Sequence, residues 1–286
     1  MQFESHYYAP DAGGLRLHAR DYGGDGPALL LMHGLTRNAA DFEPLAAILA
    51  PRYRLIVPDQ RGRGLSDSDP QPGRYRPDVY AADMIALLAS LGIARVGLIG
   101  TSMGGLMAMI MASLQPERFP VLVLNDIGPE LVPAGLARIA GYVGSGTKFG
   151  SWEAAADACR AINADAFPNF ADADWLAFAR RTCRQADDGR IAFAYDPAIA
   201  RGFEGEGEVA PANLWQQWDA LADTPTLVVR GALSDLLSPR IVEQMAARHA
   251  GPFAAVDVPD RGHAPLLDEP VASRAIGTFL AEHYPA

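Results

Sequence analysis

The chain has 286 residues, of which 49% are hydrophobic and 20% charged, a composition typical of a globular protein with an ample core. Its formal net charge of -10 argues against the basic surfaces that bind nucleic acid or anionic membranes. Two cysteines, Cys159 and Cys183, are too few for a disulfide framework or a cysteine-rich metal site, and the sequence leaves open whether they are bridged.

The N-terminal residues have neither the basic start nor the apolar core of a signal peptide. No uninterrupted apolar run in the chain approaches the length of a membrane span. We therefore expect a cytoplasmic protein with reduced thiols.

Strand patterns dominate the beginning of the chain. Residues 15–22 alternate apolar and polar side chains, which predicts a half-exposed edge strand with His18 at the surface. The continuous apolar run of residues 28–32 predicts a central strand buried on both faces. A His-Gly-Leu-Thr turn follows it, and Gly34 in that turn would let the main chain approach a reacting centre and donate an N–H there.

A charged loop with two glycines, residues 59–67, follows the next predicted strand, residues 54–57. Arg61 and Arg63 would suit a phosphate, but no glycine-rich turn into a helix follows them. We interpret the loop as a rigid turn beside the site, held by pairing between its aspartates and arginines.

The strongest motif is Gly100-Thr101-Ser102-Met103-Gly104. An apolar strand pattern, residues 96–99, precedes it, and an apolar helical pattern, residues 106–114, follows it. This is the G-x-S-x-G arrangement, in which a serine occupies a strained strand-to-helix turn and small neighbours let the strand and helix approach each other. Ser102 is therefore a candidate nucleophile.

Strands and helices continue to alternate, which predicts an α/β fold with a doubly wound, mostly parallel sheet. Further strands are predicted at residues 120–124, 226–229 and 254–258. Asp126, Asp235 and His263 follow these strands, so they fall at the edge of the sheet where Ser102 lies and where ligands bind in such folds.

Residues 130–212 contain no convincing central strand and read as amphipathic helices rich in aromatic residues. We predict that they form a helical lid inserted between two core segments, residues 1–129 and 213–286. Some of the aromatic side chains would line an apolar pocket over Ser102.

A serine hydroxyl needs a base that takes its proton and a carboxylate that orients the base. Among the six histidines, His263 is the strongest candidate because it follows a predicted strand and a glycine. With these motifs the chain resembles the α/β-hydrolase fold family over essentially its whole length. The matching residues are His33-Gly34, Asp59 with Arg61-Gly62 and Gly64, Gly100 to Gly105, Gly231 with Asp235, and Gly262-His263.

The resemblance implies that Ser102 is the nucleophile, His263 the general base and Asp235 its carboxylate partner. It also implies that the backbone N–H groups of Leu35 and Met103 form the oxyanion hole, with no metal and no organic cofactor. A rival acid is Asp126, since some members carry the carboxylate after the preceding strand. We favour Asp235, which occupies the family's usual Gly-to-Asp turn.

The resulting hypothesis is a serine hydrolase that cleaves a carboxylic ester or lactone of a small to medium hydrophobic molecule through an acyl-enzyme on Ser102. One alternative is a carbon-carbon bond hydrolase of a ring-cleavage pathway, although Thr101 and Ala264 depart from the pattern of that group. A slow, receptor-like hydrolase is the other alternative. The sequence predicts a small-molecule partner and no nucleic acid or membrane partner, and it does not predict the oligomeric state.

Overall fold

The computed structural model describes residues 1–11, 13–203 and 213–286. The strands are β1 (Glu4–Tyr8), β2 (Leu17–Asp21), β3 (Ala28–Met32), β4 (Arg54–Asp59), β5 (Gly97–Thr101), β6 (Leu122–Asn125), β7 (Lys148–Phe149), β8 (Cys183–Gln185), β9 (Ile191–Phe193), β10 (Thr226–Gly231) and β11 (Phe253–Val258). The predicted end of the lid, residue 212, lies outside the described residues.

The α-helices alternate with the strands along most of the chain. They are α1 (Glu43–Leu49), α2 (Pro77–Ser90), α3 (Met103–Leu114), α4 (Pro133–Tyr142), α5 (Trp152–Asn163), α6 (Asp172–Thr182), α7 (Trp215–Asp219), α8 (Pro239–Ala247) and α9 (Pro270–His283). Within the described ranges, none of these helices has the length and apolar character needed to cross a lipid bilayer.

Eight strands form one sheet in the order β1-β2-β4-β3-β5-β6-β10-β11. The five pairs from β4 to β11 in this order are all parallel, whereas the pairs β1–β2 and β2–β4 are antiparallel. The predicted doubly wound, mostly parallel sheet is therefore confirmed.

The central strands consist of continuous apolar runs because helices cover both faces of the sheet, so side chains on either face are buried. In β3, Leu30 and Met32 face one core and Leu29 and Leu31 face the other, as the two-residue period of a strand requires. Helices α2, α3 and α8 cover the first face, whereas α1 and α9 cover the second. This arrangement brings the carboxyl ends of the strands to one rim, where the loops meet.

The expected edge strand is not at the edge. Strand β2 lies between β1 and β4, because residues 4–8 form an additional antiparallel strand outside it. His18, expected at the surface, is fully buried and its Nδ1 lies 2.8 Å from Asp59 Oδ2. The alternating pattern of β2 indicates that one of its faces is polar. It does not indicate whether a further strand pairs with β2, or whether a polar side chain such as His18 is buried beside a polar partner.

Residues 133–203, here called the insertion, leave the main sheet between β6 and β10. They include α4, α5 and α6, but also a three-stranded antiparallel sheet in the order β7-β9-β8, so the expectation of helices alone is wrong. These strands have only two or three residues, too few to show an alternating pattern. The predicted division into core and lid domains stays a prediction.

The aromatic residues of the insertion pack mostly against one another. Phe167, Phe170, Trp175 and Phe178 form a cluster with ring centroids 4.6 to 6.4 Å apart. Edge-to-face contacts of this kind stabilise a small subdomain beyond the burial of apolar area. Phe167 and Phe178 also line the cavity described below.

Candidate active site

Ser102 occupies a strained turn between β5 and α3. Its backbone lies at φ 52° and ψ -117°, a conformation that costs about 1–3 kcal/mol in a residue other than glycine. A β-carbon on Gly104 would lie 2.0 Å from the carbonyl oxygen of Met32, and one on Gly100 would lie 2.4 Å from the carbonyl carbon of Gly104. The two glycines of the motif are thus required by close backbone approach, and they leave Ser102 at the tip of the turn.

His263 reaches Ser102 from the loop that follows β11. Its Nε2 lies 2.8 Å from Ser102 Oγ, a distance at which the hydroxyl can donate to a neutral imidazole. The loop is held by contact with the insertion, because the N–H of Gly262 donates to the carbonyl of Ala166 at 2.8 Å. The predicted serine and histidine are therefore brought together.

The carboxylate that contacts His263 is Asp126, and the expectation of Asp235 is wrong in this respect. Asp126 Oδ2 lies 2.8 Å from His263 Nδ1, and the aspartate is fully buried. Its φ of 55° turns the side chain from the end of β6 toward the histidine loop. We call Ser102, His263 and Asp126 the Ser102 triad.

Asp235 forms no hydrogen bond with the histidine in the described part of the chain and pairs instead with the insertion. Arg138 of α4 donates to it through Nε at 2.6 Å and Nη2 at 2.9 Å. This hydrogen-bonded pair lowers the pKa of Asp235 below its usual value. Asp126 comes directly after its strand, whereas Asp235 stands four residues beyond Gly231 at the end of β10, so the loop has room to turn it outward.

Two residues that the motif analysis missed position the acid and base loops. The hydroxyl of Ser234 donates to Asp126 Oδ2 at 2.6 Å, and the N–H of Gly231 donates to Oδ1 at 2.8 Å. The Asn125 amide donates to Thr101 Oγ1 at 3.0 Å and to the carbonyl of Pro265 at 2.8 Å. Asn125 could have been found from the sequence, because a polar residue at the end of a buried apolar strand indicates a side chain with specific hydrogen-bond partners.

The expected oxyanion-hole residues lie beside Ser102. Met103 is the first residue of α3, where an N–H has no partner within its own helix, and Leu35 follows Gly34 in the turn after β3. A β-carbon on Gly34 would stand 3.7 Å from Ser102 Cβ, so this turn does approach the serine closely. Among the described residues, neither the N–H of Leu35 nor that of Met103 donates to a protein acceptor. Their role in binding an oxyanion stays a prediction.

His33 is a buried structural residue. Its Nδ1 lies 2.7 Å from the carbonyl of Gly34, and its Nε2 accepts from the N–H of Gln60 at 3.0 Å. Burial lowers the pKa of His33 from 6.5 to about 4, so the ring is neutral at pH 7. The imidazole links the turn beside Ser102 to the charged loop.

The charged loop after β4 forms a hydrogen-bonded turn, but the expected pairing between its own aspartates and arginines is wrong. Asp59 contacts His18 and backbone N–H groups, and Arg61 pairs with aspartates outside the loop. Asp59 accepts from the N–H groups of Ala39 at 2.7 Å and Leu65 at 3.1 Å. Buried Arg61 pairs with Asp83, so it is engaged within the protein. These contacts favour the structural interpretation over phosphate binding.

A cavity of about 140 Å³ opens onto Ser102 and His263 between the main sheet and the insertion. Its lining is largely apolar and comes from both parts, with Leu106, Ile127 and Ile139 among the aliphatic residues. Two charged residues, Arg37 and Asp41, are also part of the lining, and the sequence analysis singled out neither of them as a site residue. Cys159, also in the lining, is a free thiol, as is Cys183.

Comparison with known proteins agrees with this geometry. Residues 27–270 match the family model for the alpha/beta hydrolase fold. The chain is 36% identical to the 3-hydroxybutyrate-oligomer hydrolase of Cupriavidus necator over 85% of this chain and 84% of that one. It is 31% identical to the 2-(acetamidomethylene)succinate hydrolase of Mesorhizobium japonicum over 80% of this chain and 78% of that one.

A crystal structure of an alpha/beta hydrolase from Novosphingobium aromaticivorans superimposes with a TM-score of 0.92 at 46% identity. The alignment covers 97% of this chain and 98% of that one. The enzymes in these comparisons act on different compounds, so what they share is the class of reaction. The chain belongs to the α/β-hydrolase fold family and is a hydrolase with a small-molecule substrate.

Proposed function

We propose that the protein hydrolyses carboxylic esters through an acyl-enzyme on Ser102. The observation that carries the proposal is the Ser102 triad, in which a strained serine at the mouth of a cavity contacts a histidine backed by a buried aspartate. This is the arrangement that makes a serine hydroxyl nucleophilic at neutral pH.

Each half of the reaction uses the same groups. Ser102 Oγ attacks the ester carbonyl carbon while its proton passes to His263 Nε2, and Asp126 stabilises the imidazolium that forms. The carbonyl oxygen becomes an oxyanion that accepts from the N–H groups of Leu35 and Met103. Collapse expels the alcohol, which takes the proton from His263. Water then attacks the acyl group, His263 accepts its proton and returns one to Ser102, and the carboxylic acid leaves.

The likeness to the oligomer hydrolase favours linear esters of short hydroxy acids as substrates. A dimer or trimer of 3-hydroxybutyrate is such an ester. The aliphatic and aromatic side chains in the cavity lining suit the apolar backbone of such an ester.

The test is hydrolysis of p-nitrophenyl esters of increasing acyl length and of 3-hydroxybutyrate dimer and trimer. We expect turnover above about 1 per second on the best ester, with an optimum at short acyl chains. Mass spectrometry of acid-quenched enzyme would show the acyl group on the peptide that contains Ser102. Ser102→Ala is the matched control and would show neither turnover nor label.

An enzyme inert toward every ester would overturn the proposal. Turnover of a lactone, an amide or a ring-cleavage diketone in place of esters would assign the same triad to that bond. Ligand binding with turnover far below 1 per second would instead favour the receptor-like alternative.

A further inference from the structure

Arg37 stands close to Ser102 inside the cavity. It lies two residues beyond Leu35, in the turn that approaches the serine, and it lines the cavity. The Cγ of Arg37 and the Cβ of Ser102 are each 3.7 Å from the point where a β-carbon on Gly34 would stand. These two carbons are therefore separated by at most twice that distance.

The guanidinium is held in a defined position. Asp41 accepts from Nε at 2.6 Å and also from Nη2, and the ring of Phe178 lies 3.9 Å from the guanidinium carbon. Only 14% of the Arg37 side chain is exposed. Burial alone would lower the pKa of Arg37, but Asp41 outweighs this effect and raises it, so the group is always charged.

One end of this guanidinium is available to a ligand. Asp41 occupies the edge formed by Nε and Nη2, and Nη1 donates to no residue in the described part of the chain. Nη1 carries two N–H donors on a positively charged plane. Tyr142, Thr36 and Asn163 line the same cavity, and so does Asp41, whose two carboxylate oxygens accept from Nε and Nη2 of Arg37.

A structural role for Arg37 would require only its pairing with Asp41, and a pair of this kind can lie on the surface at no cost. Placing it in the substrate cavity is expensive, because charged groups there lose hydration. This cost is offset if the substrate carries a hydrogen-bond acceptor that contacts Nη1. A carboxylate can form a charge-assisted hydrogen bond with Nη1, whereas an alkyl group would leave these donors without an acceptor.

We propose that Arg37 is a specificity-determining residue that binds a free carboxylate on the substrate, and that Asp41 positions it. The substrates are then short esters that carry a carboxylate away from the scissile bond, which refines the expected small to medium hydrophobic substrate. This inference rests on the proposed ester hydrolysis, and it names the substrate class of the same site.

The experiment compares a linear 3-hydroxybutyrate trimer with the methyl ester of the same trimer. The two compounds differ only in the terminal charge, so the ratio of their kcat/KM values reports carboxylate recognition. We expect the wild type to prefer the acid, and Arg37→Gln to reduce that preference by about 10- to 100-fold, the effect of losing one hydrogen bond to a charged group. An unchanged ratio in Arg37→Gln would overturn the inference.

Two further variants separate recognition from folding. The double variant R37Q/D41N replaces the ion pair with two amides and so leaves no buried aspartate unpaired. It should show the same loss of preference with a melting temperature near that of the wild type. Arg138→Gln is the matched control, because Arg138 also forms a two-bond pair with an aspartate but is not part of the cavity lining, and it should leave the ratio unchanged.

Calorimetric binding in the Ser102→Ala background provides a readout that does not need turnover. The trimer acid should bind more tightly than its methyl ester, and Arg37→Gln should abolish the difference. Arg37-dependent binding in an enzyme that hydrolyses no ester would overturn the proposed function and support the carboxylate site. Ester hydrolysis together with equal binding of the acid and its methyl ester would support the proposed function and overturn the carboxylate site.

Discussion

The molecule contains a second Ser–His–Asp arrangement, outside the cavity lining, that closely resembles the Ser102 triad. His18 Nδ1 lies 2.8 Å from Asp59 Oδ2, the distance found between His263 and Asp126, and His18 Nε2 lies 3.1 Å from Ser5 Oγ. We call Ser5, His18 and Asp59 the Ser5 group. Hydrogen-bond distances alone do not distinguish it from a catalytic triad.

The surroundings of the two serines differ. Ser5 is an exposed residue within regular strand β1, whereas Ser102 has a strained backbone and stands at the beginning of α3 beside two N–H groups without a protein acceptor. The cavity lining includes Ser102 and not Ser5. A nucleophile needs a place for the carbonyl carbon and donors for the oxyanion, and the Ser5 group provides neither in the described structure.

The largest expected effect separates the two serines. Ser102→Ala should lower kcat by about 10⁴- to 10⁶-fold, because it removes the attacking atom. Ser5→Ala should leave kcat within about threefold, because it removes one exposed hydrogen bond. Steady-state kinetics on the best p-nitrophenyl ester measures both. A large loss in Ser5→Ala at unchanged stability would mean that the Ser5 group takes part in the reaction.

The next effect concerns the two aspartates considered for the triad. Asp126→Asn should lower kcat by about 10³- to 10⁴-fold, since an amide neither stabilises the imidazolium nor holds the productive tautomer. Asp235→Asn removes only a half-exposed pair with Arg138 and should change kcat by less than about fivefold. Equal losses in both variants, measured at the same folded fraction, would contradict the assignment of Asp126.

In the Ser5 group the corresponding aspartate should affect stability instead of turnover. Asp59 accepts from His18 and from the N–H groups of Ala39 and Leu65, and an asparagine cannot accept from all three. Asp59→Asn should lower the free energy of unfolding by about 2–4 kcal/mol. Urea unfolding measures this change, and kcat per folded molecule should stay close to the wild-type value. A variant as stable as the wild type would show that these contacts contribute little.

The last comparison concerns His33, a buried histidine that forms no hydrogen bond with a carboxylate. Its pKa falls from 6.5 to about 4 on folding, so between these pH values the unfolded chain binds more protons than the folded one. Stability from this residue is present above pH 6.5 and is lost as the pH falls toward 4, at up to about 1.4 kcal/mol per pH unit. His33→Gln should flatten the pH dependence of unfolding over this window. Parallel curves for the two proteins would contradict the prediction.

Local sterics and burial made much of the fold predictable. Gly100 is needed because its backbone meets that of Gly104 within the same five residues, whereas Gly104 is needed because it packs against Met32 of the neighbouring strand β3. The runs in β3 and β10 are apolar because both faces of the sheet are covered, so their composition indicates their position. His263 could be singled out because few histidines follow a strand.

The choice of the acid could not be made in the same way. Asp126 and Asp235 both follow strands that end at the correct rim of the sheet. Which one contacts His263 depends on the backbone φ of Asp126 and on its hydrogen bond from the Ser234 hydroxyl. It also depends on Arg138 of the insertion, which pairs with Asp235. These contacts join residues about a hundred positions apart in the chain.

The sequence by itself determined the elbow and the central strands, because these depend mainly on local backbone geometry or on the burial of a continuous apolar run, and it singled out His263 as the candidate base by its place after a strand. Only the tertiary structure decided that β2 is covered by β1, that Asp126 backs the histidine and that Arg37 enters the cavity. The reason is physical: side-chain direction in a loop is set by whichever distant hydrogen-bond partners the fold brings within about 3 Å, and no local pattern encodes that distance.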